Sequence, residues 1–112
     1  MKIFSAWKKV REFERSKLPF LNTIIDLDII IDVGFAEEMG HPLTLKHLLL
    51  LIPASRTTVR RRLGRLIKAG VVVQKRSGQD RRSTLLTISP SSLKAFGKYA
   101  GAIGTAFRFP AT

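Results

Sequence analysis

No cysteine occurs among the 112 residues, which excludes disulfides, thiolate redox sensing and cysteine-based zinc sites. Tryptophan and tyrosine occur once each, and eight acidic residues stand against twenty lysines and arginines. The most apolar run, Ile24 to Val33, is broken by Asp26, Asp28 and Asp32 and is too short to span a bilayer. Lys8, Lys9 and Arg11 interrupt the first apolar residues, so no secretory signal is expected and a cytoplasmic location is the default. His41 and His47 lack a second ligand at a metal-binding spacing, so neither a metal nor a cofactor is expected. Glycine-rich phosphate loops and nucleophile–base pairs are also missing, and the expectation is a protein that is not an enzyme.

The shortage of acid is regional. Residues 1–45 hold six Lys/Arg and seven Asp/Glu, net −1; residues 46–112 hold fourteen and one, net +13, which together make the total of +12. Between Ser55 and Arg82 ten basic side chains face a single acid, Asp80. So one-sided a charge implies a polyanionic partner met by one face, because each lysine or arginine on a phosphate releases condensed counterions. An apolar content of 45% is enough for one core, and residues 1–112 read as a single domain.

Along the chain, residues 2–17 read as a helix with Ile3, Trp7 and Val10 on one side and Phe13 less cleanly placed; Leu18-Pro19 ends it. Asn22 or Thr23 can cap a second helix reaching about Met39, with Asp26 in the first turn where the helix dipole favours an anion. That helix is apolar almost all round and is expected to be buried against several neighbours. Asp28 and Asp32, like Asp26, are explained by the dipole and by solvation. Thr44 caps a short helix, Leu45 to about Leu51, Pro53 breaks the chain, and Ser55 caps another from Arg56 to Ala69 that Gly70 closes. Val71–Val73 and Leu85–Ile88 read as two strands around a polar loop containing Gly78. Ser89-Pro90 opens a last helix with Leu93, Phe96, Ala100, Ile103 and Phe107 on one stripe. The fold class is mainly α (α+β): a winged helix-turn-helix with a two-stranded wing and an extra helix at each end.

On the helix from residue 55 to 69, a step of about 100° per residue gathers Val59, Leu63, Leu66 and Ile67 on a core-facing side. Thr57, Arg61, Gly64, Arg65 and Lys68 fall opposite, with Arg60 and Arg62 on the flanks. A surface helix normally interleaves glutamate with its bases, and this one has no acid. It is the natural recognition helix for a DNA major groove. Thr57, Thr58 and Arg61 near its start would read bases, since an arginine fork suits guanine and threonine suits several edges. Arg65 and Lys68, further along, would meet phosphates, Arg56 and Arg60 join them as DNA-binding residues, and the free N–H groups beyond Thr44 and Ser55 can bind phosphates directly. Lys75, Arg76, Arg81 and Arg82 near the hairpin tip (wing residues 74–84) would follow the backbone or enter a minor groove.

The run from Asp80 to Ser89, Asp-Arg-Arg-Ser-Thr-Leu-Leu-Thr-Ile-Ser, resembles the wing signature of the MarR family of transcriptional regulators: Asp-x-Arg, three residues, an apolar residue, x, Leu-Thr. Thr57-Thr58-Val59-Arg60-Arg61 and Arg65 to Val72 resemble that family's recognition helix and its exit into the wing. The resemblance covers residues 42–96. It implies a dimeric DNA-binding regulator of repressor type, with Arg61 and the wing arginines on DNA and Asp80 orienting an arginine at the base of the wing. Arg62 stands where the family more usually has an apolar residue, and only one helix follows the wing.

The aromatic-rich ends, residues 1–20 and 90–112, are expected to form a homodimer interface, with Gly97, Gly101 and Gly104 allowing close helix approach. Glu12 and Glu14 weaken a membrane role for the basic first helix, so the expected partners are double-stranded DNA and a second copy, with no membrane and any small-molecule effector unknown. The competing readings are an RNA-binding, replication or architectural winged helix without operator specificity, and a pure protein-interaction module.

Overall fold

The computed structural model describes residues 2–76 and 84–108. Seven elements follow in order: α1 (Ile3–Lys17), α2 (Ile24–Glu38), α3 (Leu45–Leu51), α4 (Arg56–Lys68), β1 (Val72–Arg76), β2 (Thr84–Ile88) and α5 (Pro90–Ala106). The helix boundaries follow from local chemistry. Thr23 caps α2 with a full capping box, its hydroxyl accepting from Asp26 N–H while the Asp26 carboxylate accepts from the Thr23 N–H. At the ends of α2 and α4, Gly40 and Gly70 adopt φ of +79° and +78°. In both, the next residue's N–H returns to a carbonyl five residues back: His41 to Ala36, and Val71 to Leu66. Only glycine takes that backbone without strain, so both positions stop a helix where the sequence says they should.

β1 and β2 form an antiparallel hairpin in which Val72 pairs with Ile88 and Arg76 with Thr84. The segment before α3 extends the sheet: Leu86 N–H donates to the Leu43 carbonyl at 2.8 Å, and Thr44 bridges Leu85. One core joins α2, α3, α4 and the hairpin through Ile29, Val33, Leu48, Val59, Leu66, Val72 and Leu86. A second, smaller one joins α1 to α5 through Val10, Leu18 and Tyr99, with Phe13, Phe96 and Phe107 beside them. Phe96 and Phe20 touch both clusters and stack on each other, 6.2 Å between ring centroids.

Two expectations about helix faces are corrected. α2 is not covered all round, because Ile24, Ile31, Phe35 and Met39 remain exposed. On α5 the inward face is turned by one residue: Ser92 and Tyr99 are buried where Leu93 and Ala100 were expected, and both of those are exposed. Tyr99 wins that place because its hydroxyl donates to Glu14 on α1 while its ring stacks on Phe13. A Cβ at Gly97, Gly101 or Gly104 would meet nothing within 4 Å, so within one chain no helix uses their smallness. On α1, Ala6 and Val10 face α5, whereas Ile3 and Trp7 are 40% and 52% exposed. The two ends thus pack against each other within one chain, Trp7 meeting Phe107 edge-on at 4.8 Å.

Candidate nucleic-acid interface

α4 supplies the face. Its start is fixed by Ser55, whose hydroxyl oxygen accepts from Thr58 N–H at 3.1 Å and donates to the Thr58 hydroxyl at 2.8 Å. Val59, Leu63 and Leu66 sink into the core at 0%, 3% and 1% exposure and fix the rotation of the helix. Arg56, Thr57, Arg60, Arg61, Arg65 and Lys68 are consequently all exposed on the other side. Among the described residues none of these bases has a carboxylate within ion-pairing distance, so their charge is directed at solvent. Beside Gly64 there is open space.

Arg62 departs from the expected flank position. It is 9% exposed and grips Asp26, which is fully buried, by two bonds: Nε to Oδ1 at 2.8 Å and the terminal Nη2 to Oδ2 at 2.6 Å. Asp26 is therefore not a solvated surface acid. Burial alone would raise its carboxyl pKa, but the Arg62 fork and the N–H groups of Asn22 and Thr23 outweigh burial and hold it below its ordinary value. The pair staples the start of α2 to the middle of α4. An acid and a base that each sit on a core-facing arc were the available signal, and neither reveals the other across 36 residues.

Thr58 fits base reading poorly, since it is half-buried and its hydroxyl is already bonded to Ser55. Thr44 is half-buried too; its hydroxyl accepts from His47 N–H at 3.2 Å, capping α3. Lys75 and Arg76 are exposed at the far end of β1, opposite Leu85 and Thr84. Asp80, Arg81 and Arg82 lie outside the described residues. One residue not singled out in the sequence joins the face: Lys46 on α3, which with Arg56 and Arg60 rims a groove floored by Leu45, Leu49 and Leu50. Elsewhere a mainly apolar cavity of about 290 Å³ opens between α2, β2 and α5, lined by Ile30, Ile31, Gly34, Phe35, Ile88, Leu93 and Phe96, with Glu38 as its one charged residue. Among the described residues no cluster of His, Asp and Glu suits a metal, and no helix is long and apolar enough to cross a membrane.

No protein-family model and no curated protein matches the chain. Solved structures do. A transcriptional regulator of Thermotoga maritima superposes with a TM-score of 0.67 at 20% identity, over 91% of this chain and 67% of its own. AbsC, a MarR family transcriptional regulator of Streptomyces coelicolor, gives 0.58 at 19%, over 88% and 68%. A mutant MarR of Escherichia coli, complexed with operator DNA, gives 0.62 at 17%, over 91% and 70%. The chain has the MarR-type fold. In that fold α3 and α4 are the helix-turn-helix and β1–β2 the wing, which agrees with the sequence resemblance in residues 42–96. This chain spans about two thirds of the length of those three neighbours.

Proposed function

We propose that the protein is a sequence-specific double-stranded DNA-binding transcriptional regulator of repressor type, acting as a homodimer in the cytoplasm. The observation that carries this is the exposed, acid-free face of α4, held in one rotation by its buried apolar side and by the Asp26–Arg62 pair. Thr57 and Arg61, on the first two turns, read bases in the major groove, where an arginine fork can take both O6 and N7 of a guanine. Arg56, Arg60, Arg65, Lys68 and Lys46 anchor phosphates, as do the N–H groups at the starts of α3 and α4. Lys75 and Arg76, with Arg81 and Arg82 beyond them, carry the wing along the backbone. That MarR of E. coli is known in complex with operator DNA supports the same use of the same fold. The apolar cavity between α2 and α5 is the place for a small apolar effector, if one is sensed.

The test is selection of bound sequences from a random duplex library, followed by titration of the winner against scrambled duplexes at several salt concentrations. A recurring inverted repeat bound well above the scrambled control supports the regulator. Equal affinity for every duplex would leave an architectural DNA protein, and preference for structured RNA would overturn the DNA reading.

A further inference from the structure

α2 is the acidic element of a basic protein. It carries Asp26, Asp28, Asp32, Glu37 and Glu38 and no lysine or arginine. Two of these are engaged inside the chain: Asp26 with Arg62, and Glu37 with the Ile88 N–H at 3.0 Å. Among the described residues no base or donor reaches the carboxylates of Asp28, Asp32 or Glu38. The Asp32 carboxyl is pushed up by partial burial and by the Asp28 charge one turn away. Between these acids runs an open apolar stripe, with Ile24 73%, Ile31 53% and Phe35 60% exposed, all within a narrow arc of the wheel. α1 is the opposite. It leaves Phe4 81% and Trp7 52% exposed, and Lys8 and Arg15 share their side of the helix with Arg11, which is already paired with Glu14 at 2.6 Å. Within one chain α1 packs chiefly on α5, and only Arg11 and Glu14 border the start of α2, around a shallow pocket they share with Ile24 and Leu27.

From this complementarity we infer that the exposed face of α1 docks on the α2 stripe of a second copy, reciprocally, and that this contact is part of the dimer interface. The inference rests on the dimer reading above but moves the interface beyond the two ends of the chain. A homotypic α2–α2 contact would set Asp28, Asp32 and Glu38 against their own copies, and like charges so placed repel. α1 offers apolar side chains for the stripe and bases for the acids in one helix. A two-fold arrangement uses each surface twice, so both stripes are covered at once. The partner helix would also close the open side of the cavity lined by Ile31 and Phe35.

The absence of cysteine gives a direct test. Phe4→Cys and Ile31→Cys chains, made separately with tags of different mass, are mixed and oxidised; a disulfide joining the two kinds of chain is expected, and far less of either homodimer. Charge swapping gives a second readout by analytical ultracentrifugation of the full chain. Asp28→Lys with Asp32→Lys should weaken self-association roughly tenfold or more, and adding Lys8→Glu with Arg15→Glu should recover most of it. All of these positions are exposed or half-buried, and helical circular dichroism checks that the variants fold. A dimer that ignores the α2 variants and forms no mixed disulfide overturns the inference while keeping the dimer. A monomer at every concentration overturns both, and association restored by an unrelated basic protein instead of the second copy assigns the stripe to another partner.

Discussion

Asp26 and Arg62 show how much one pair of side chains can settle. Two charges removed from water hold together only through good geometry and further hydrogen bonds, and here the carboxylate has four, from the Arg62 fork and from the N–H groups of Asn22 and Thr23. Removing one partner strands the other in a dry site. Asp26→Asn should therefore cost about 3–5 kcal/mol in urea unfolding at neutral pH, whereas Asp26→Leu combined with Arg62→Met should recover most of it. The pH dependence has a definite sign. Because the folded-state pKa lies below the ordinary 3.8, the contribution is complete above that value and is lost as pH falls from 3.8 toward the lowered one. A stability curve in the variant that keeps the wild-type loss over that acid range would sink this account. The pair was illegible in the sequence because each member had a sufficient local explanation: Asp26 as a first-turn acid, Arg62 as one more base in a basic helix. Burial is a property of the docked helices, and only docking joins residues 36 positions apart.

At the scale of elements, starts and stops were the most legible part of the fold, because capping is local chemistry. Thr23, Thr44, Ser55 and Ser89 each cap a helix through the N–H three residues on. Gly70 ends α4 and aims the chain into β1 at φ +78°, so Gly70→Ala should cost about 1–2 kcal/mol by thermal unfolding although a Cβ there meets no atom. A loss no larger than that of an exposed alanine elsewhere in α4 would mean that the turn relaxes. Helix faces were harder to read. On α5 the wheel offered two nearly equal arcs, both holding Phe96, Ile103 and Phe107, and the choice fell to Tyr99 through its bonds to α1. The Tyr99 hydroxyl is pushed up to about 12 by burial and by the Glu14 carboxylate that accepts its proton. With the folded pKa raised, this contribution is present below the ordinary value of 10.0 and fades as pH rises from there toward 12. Tyr99→Phe should remove that alkaline loss, which unfolding curves at pH 9 and pH 11 would register, and leave the acid side unchanged.

Across the whole molecule, charge and apolar surface are sorted in opposite senses. The first 45 residues are near neutral yet hold the α2 stripe and the exposed aromatics of α1, while the remainder carries net +13. This sorting was visible in the sequence as a count, but which bases share a face was not, and Arg62 shows that a base in the middle of α4 can leave the face altogether. The exposed bases that remain on α4 and β1 are Arg56, Arg60, Arg61, Arg65, Lys68, Lys75 and Arg76. Arg61 is assigned to a base edge, and the other six, with Lys46 of α3 and Arg81 and Arg82 of the wing, make nine proposed phosphate contacts on each chain. Each neutralised phosphate contributes about −0.9 to the slope of log affinity against log salt, so a single chain's contacts should give about −8. Lys68→Ala should make that slope shallower by about 1 and weaken every duplex alike. Arg61→Ala should cost about 1–3 kcal/mol on the selected site, relax the preference at one base pair and leave the slope nearly unchanged. Arg62→Met with Asp26→Leu is the control: it removes a base that faces the core, so it should leave the slope where it was. A slope that falls equally in all three would mean that the helix acts only through its total charge. The division between reading, anchoring and structural arginines would then have no basis.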